Sequence, residues 1–133
     1  MTGNGNEYRN LVDVILSDLQ QRGLHDIQAD HLEDEGYPRS DGYFQVSSQT
    51  WYHPDIQARS DGRVFLYEVE TAESFARPET REKIEALAGA ARLSNGQFFL
   101  VVPEELRDGA QRLLNELHVQ GGEVWGISGG RKI

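Results

Sequence analysis

The chain contains no cysteine. Disulfides, thiolate metal sites and cysteine nucleophiles are therefore excluded, and the composition suits a reducing compartment. No apolar run approaches the roughly 20 residues needed to cross a bilayer. The stretch from Met1 to Asn10 is polar and rich in Gly and Asn, with neither the basic start nor the apolar segment of a signal peptide. The expectation is a cytoplasmic protein with no membrane partner. Positive charge is also scarce. Thirteen basic residues face 22 acidic ones, for a formal net charge of −9. Of the 13, 11 are Arg and only two, Lys83 and Lys132, are Lys. A general nucleic-acid coat is disfavoured, because phosphate binding is normally driven by a basic surface. An enzyme that reaches a phosphodiester through metal ions and a local group of arginines remains open. There is no Walker A loop, no Gly-x-Gly-x-x-Gly, no His-Glu-x-x-His and no Gly-x-Ser-x-Gly.

The 133 residues fit one domain, with a core over about residues 6–127 and polar tails. Tyr8, Leu11, Val12, Ile15, Leu16 and Leu19 recur at helical spacing, which predicts an amphipathic helix over 7–23 with Asn6 as its N-cap and Gly23 as its stop. Residues 26–32 alternate and read as a strand or a loop. The Glu33-Asp34-Glu35-Gly36 run reads as a solvated loop. Residues 43–48 and 56–58 have strand composition. Ser60-Asp61-Gly62-Arg63 carries the Asp-Gly signature of a tight hairpin, leading into the strand 64–70. Pro78 predicts a helix over 77–94, and the apolar run 97–102 a buried strand. A helix over 103–117 opened by Pro103, a last strand over 123–127 and a frayed tail complete the reading. The strands before Glu70 follow one another through short turns and are expected to be antiparallel. The last two arrive through helices and are expected to lie parallel to a neighbour.

The informative residues are acids. The predicted hairpin lays the strand after Asp55 beside the strand that carries Glu68 and Glu70. Those two glutamates are two positions apart, so they share one face. Strand neighbours such as Val64, Phe65, Leu66 and Tyr67 indicate that both faces are covered. Buried carboxylates are costly unless paired or bound to a cation. Oxygen-only ligation fits Mg²⁺ or Mn²⁺.

The stretch His53-Pro54-Asp55-Ile56, then a hairpin, then Tyr67-Glu68-Val69-Glu70, resembles the core of the PD-(D/E)XK nuclease superfamily. The resemblance implies an α/β, restriction endonuclease-like fold: a central mixed sheet flanked by helices in the order α-β-β-β-α-β-α-β. It implies Mg²⁺-dependent hydrolysis of a DNA phosphodiester, with Asp55 and Glu68 holding the metal. The third motif position, usually a Lys that orients the attacking water, is Glu70 here. Some restriction enzymes of this fold are similar in carrying Glu there. Glu70 would hold a second metal ion or take a proton from water. Glu7 matches an acidic residue that the family often carries on its first helix. In some members the lysine migrates to the next helix, where this chain has Lys83. The plainer reading of Lys83 is an i−4 pair with Glu79. The departure at Glu70, with the net charge of −9, keeps a second reading open: a nuclease-fold domain without catalysis, serving as a binding or assembly module. Nucleases of this fold often work as dimers, so a second copy or a basic partner subunit is an expected partner beside DNA.

Several other residues carry two readings each. Arg39, Arg59, Arg63, Arg77 and Arg81 bracket the acids in sequence. They form either a phosphate clamp, chiefly through Arg59, Arg77 and Arg81, or a solvated surface. Trp51 and Tyr52 either stack on bases or close a core. His53 is a metal or phosphate contact or, more simply, structural, and His25, His31 and His118 lack ligand spacing. Thr71 and Ser74 suit a helix start, and Glu73 is expected to be solvated.

Overall fold

The computed structural model describes residues 4–24 and 26–132; His25 lies outside them, as do residues 1–3 of the polar start. The elements run α1 (Asn4–Gln21), β1 (Ile27–Ala29), β2 (Tyr43–Gln45), β3 (Thr50–Tyr52), β4 (Ile56–Ser60), β5 (Arg63–Val69), α2 (Ala72–Phe75), α3 (Pro78–Leu93), β6 (Gln97–Pro103), α4 (Arg107–Glu116), β7 (Glu123–Ser128) and β8 (Arg131–Lys132). A mixed six-stranded sheet has the order β1-β4-β5-β6-β7-β8. β1, β4 and β5 are antiparallel neighbours, β5, β6 and β7 are parallel, and β8 returns antiparallel to β7.

The sheet separates two apolar layers. On one face α1 packs Leu11, Val12, Ile15, Leu16 and Leu19 against Ile56, Tyr67, Val69, Phe99, Val101 and Trp125. On the other, Ile84, Leu87 and Ala91 of α3 and Ala110 and Leu114 of α4 cover Leu66, Phe98, Leu100 and Val102. Both faces of β6 are therefore covered, which explains its continuous apolar sequence, and the second half of β5 is buried beside it. Each of the larger side chains sealed in this way contributes about 1.5–3 kcal/mol.

The β4–β5 turn is as the Asp-Gly signature requires: Asp61 and Gly62 both take positive φ, 53° and 77°. Gly23 also has positive φ, just after α1 ends. Pro78 occupies the first turn of α3.

Five expectations are corrected. The first helix begins at Asn4, so Asn6 lies inside its first turn and does not cap it. The acidic run forms a short 3₁₀ turn, Glu33–Glu35, with Glu35 held in a two-pronged pair by Arg9. Tyr43–Gln45 does not enter the main sheet. It pairs with Thr50–Tyr52 in a separate hairpin, anchored by Tyr43 donating to Gln57 Oε1 at 2.9 Å and Tyr52 donating to Glu82. Period-two alternation looks the same in a sheet strand and in such a ribbon, which is why the sequence does not separate them. Pro103 is the last residue of β6, opposite Ile127, and also the N-cap of the helical segment that follows, whose first turn, Glu104–Leu106, is 3₁₀, so that the α-helix itself starts at Arg107. The tail is not frayed. Gly129 and Gly130, both at positive φ, turn the chain so that Arg131 pairs with Ser128. Lys132 then sits 4.5 Å over the Trp125 ring and 3.2 Å from Glu123.

Candidate functional site

The site lies where β4 begins and β5 ends. The β4–β5 register pairs Ile56 with Tyr67, so continuing it by one step sets Asp55 opposite Glu68. Glu68 falls on the same face as Leu66, toward α3, while Tyr67 and Val69 point into the α1 layer. Glu70 N–H donates to Val101 O at 3.0 Å, which carries the ladder one residue past β5. All three acids are buried, with relative exposures of 7% for Asp55, 1% for Glu68 and 4% for Glu70. They line a cleft of about 420 Å³, together with Tyr8, Thr71, Arg77 and Lys83.

Each acid is held differently. Asp55 Oδ2 accepts from Val69 N–H at 2.7 Å, and Oδ1 accepts from the Tyr8 hydroxyl at 2.5 Å. Glu68 Oε2 meets Lys83 Nζ at 2.9 Å, while Glu68 Oε1 is buried with no hydrogen-bond partner among the described residues. The i−4 pair of Lys83 with Glu79 is thus replaced by a contact across the cleft. α3 runs over the sheet face that carries Glu68, and a Lys one turn into that helix spans the gap.

Burial, and after it the charge of Asp55, push the Glu68 carboxyl well above its ordinary pKa; Lys83 works against this, and Glu70 adds to it. Burial by itself would lower the Lys83 pKa, but Glu68, Asp55 and Glu70 more than offset it, so the ammonium holds its proton more firmly than usual. Of the two partners Lys83 is the firmer charge. Its side chain is 30% exposed, whereas that of Glu68 is 2% exposed and faces two further carboxylates. The Tyr8 hydroxyl is likewise raised, by burial and then by Asp55, and stays a donor.

No family model, curated protein or solved structure matches this chain. The site is therefore read from its own geometry.

Asp55, Glu68, Glu70, Lys83 and Arg77 converge on the cleft. Glu7 does not line it. Its Oε1 accepts from Ala72 N–H at 3.2 Å, at the start of α2, and it borders a separate depression beside the β7–β8 turn. Arg59 pairs with Asp41 at 2.5 Å, Arg39 with Asp30 at 3.0 Å, and Arg63 donates to Asn95 O, so these three form no clamp around the acids. Arg81 lies in the adjoining groove, paired with Glu116. His53 is bound to Ser40 O through Nδ1, the structural role. Trp51 closes no core: it is 62% exposed, with its ring tilted at 55° against Phe44, centroids 5.1 Å apart. Thr71 caps α2 in a reciprocal box with Ser74. Glu73 is exposed and pairs with Arg77.

Tyr8 is the residue that sequence reasoning missed. Its place on the apolar stripe of α1 marked it as core, and nothing in its local spacing distinguishes a hydroxyl aimed at Asp55 from one aimed at water.

The donor set fits a hard divalent cation in kind, being carboxylate oxygen only, and Glu68 Oε1, buried beside the cleft, meets no hydrogen-bond donor among the described residues. The arrangement is not a preformed cage: among the described residues, no three His, Asp or Glu side chains stand together as a metal-binding group.

Proposed function

We propose that this chain is a restriction endonuclease-like, Mg²⁺- or Mn²⁺-dependent phosphodiester hydrolase acting on DNA. The observation that carries the reading is the contact between Lys83 and Glu68 in a cleft shared with Asp55 and Glu70. The cation absent from position 70 is supplied from α3. The order of elements supports it as well: a helix, then antiparallel strands, then parallel strands reached through helices.

Asp55 and Glu68 would hold the metal, with Glu70 beside them. Such an ion, when bound, polarises a phosphoryl oxygen and acidifies a water ligand. The chain's own groups do the rest. Val69 N–H and Tyr8 fix the plane of the Asp55 carboxylate. Glu70, buried at the cleft wall, accepts a proton from the attacking water. Lys83 sets a positive charge beside the developing negative charge and donates a hydrogen bond to hold the water in line.

A second reading rests on Asp55, both of whose oxygens are already engaged. It makes the chain a nuclease-fold binding or assembly module without catalysis. Calorimetric titration of Mg²⁺ and Mn²⁺ into the wild type and an Asp55→Ala, Glu68→Ala double variant, followed by plasmid nicking, separates the two. Metal binding lost in the double variant and nicking lost in Lys83→Ala support the hydrolase. A wild type that neither binds metal nor nicks DNA supports the module.

A further inference from the structure

Beside the acid cleft, a groove of about 370 Å³ runs between the start of α3 and the face of α4. Arg77, Arg81 and Arg112 line it, with Phe75 and Gly109 between them. Arg77 lines both the groove and the acid cleft, so the two adjoin at that side chain. We infer that this groove binds the phosphate backbone of a nucleic acid and leads it into the cleft. The inference rests on the hydrolase reading for the identity of the cleft and deepens it by naming how the substrate is held.

The charges bear this out. In a chain of net charge −9 the groove brings together three of the 11 arginines. Arg77 pairs with Glu73 at 2.8 Å and Arg81 with Glu116 at 2.9 Å, and every one of these side chains is more than half exposed. Exposed pairs of this kind are weak and open readily to a stronger anion. Arg112 makes no hydrogen bond or ion pair among the described residues. An unpaired guanidinium between two loosely engaged ones matches the bidentate geometry of phosphate. Gly109 leaves the wall low: a Cβ there would meet the Phe75 ring at 3.7 Å and Arg112 at 3.8 Å. The groove offers no array of side-chain amides for base edges. The contact it makes is with backbone and is independent of sequence.

The test is fluorescence anisotropy with short labelled duplex DNA, duplex RNA and single-stranded DNA, in chelator so that no cleavage intervenes, over a range of salt. Arg112→Ala should weaken binding about 3–10-fold and lower the salt slope by about 1, and Arg112→Glu should weaken it further. Arg22→Ala removes the same charge just past the C-terminal end of α1 and should leave binding within a factor of about two. The probe most sensitive to Arg112 identifies the nucleic acid. Wild-type binding that Arg112→Ala and Arg112→Glu leave unchanged in strength and salt slope would overturn the inference, as would no wild-type binding at low salt in any arm. Binding that depends on Arg112 in a protein that never cleaves would remove the hydrolase reading and leave the groove assignment standing.

Discussion

Tyr8, in the first turns of α1, donates its hydroxyl to Asp55 Oδ1 at 2.5 Å across 47 positions of sequence. One bond thereby ties the helix on one side of the sheet to the acid cleft. It also decides which Asp55 lone pairs remain for anything entering from solvent, because Val69 N–H takes the other oxygen. Tyr8→Phe removes the donor and leaves the ring in place. We expect a stability loss of about 1.5–3 kcal/mol by urea denaturation, the range for a hydrogen bond to a charged group. A loss near zero would show that water replaces the hydroxyl freely.

Glu68 is placed where its charge costs stability. It is almost wholly buried, has one oxygen unpaired, and faces Asp55 and Glu70. Its one cation, Lys83, is partly exposed and can turn to water once released. Glu68→Gln keeps the shape and removes the charge. The thermal midpoint in chelator at neutral pH should rise, by roughly 1 kcal/mol of stability, a common pattern at sites where activity opposes stability. A fall of the midpoint would mean that the ion pair with Lys83 outweighs the burial.

Two glycines on α3 and just after it should respond in opposite directions. At Gly96 a Cβ would lie 2.0 Å from Val64 O, a backbone atom that cannot turn aside. Gly96→Ala should therefore destabilise by about 2 kcal/mol or more. Gly89 sits inside α3 with nothing within 4 Å of a new Cβ. Gly89→Ala should stabilise by about 0.5–1 kcal/mol. Chemical denaturation of the two single variants checks the contrast.

The acid limb of stability should depend on Asp41. Its carboxyl is held below the ordinary value, chiefly by the hydrogen bond from Arg59 and, against some burial, by Gln57 as well. A depressed folded-state value contributes stability that is present in full above the unfolded value and is lost as pH falls through the folded one. Asp41→Asn should therefore lose less stability than the wild type on acidification below about pH 4. The difference will be small, because both side chains are more than a third exposed. Parallel denaturation curves at neutral and acid pH measure it.

The helices α1 and α3, the Asp61-Gly62 turn and the apolar strand β6 were all legible in the residues, because each rests on short-range physics. Helical spacing of apolar side chains, proline at a helix start and positive φ at a turn are local properties. The opposition of Asp55 to Glu68 follows from that same turn, since a tight hairpin leaves only one register. The errors share one cause. The β2–β3 ribbon, the strand-ending Pro103 and the β8 tail depend on what lies across from them, and a one-dimensional pattern does not carry that information.

The amino-acid sequence alone determined that three acids, Asp55, Glu68 and Glu70, gather at the open end of one antiparallel hairpin with apolar neighbours along both strands. Tertiary structure decided what those acids meet. It brought Lys83 down from α3 onto Glu68 and Tyr8 up from α1 onto Asp55, and it sent Glu7 and Arg59 to other partners. The reason is geometric. A side chain's neighbours along its own element follow from a fixed rise and twist, whereas its neighbours on another element follow from how two apolar faces pack, and that packing is settled by the whole core at once.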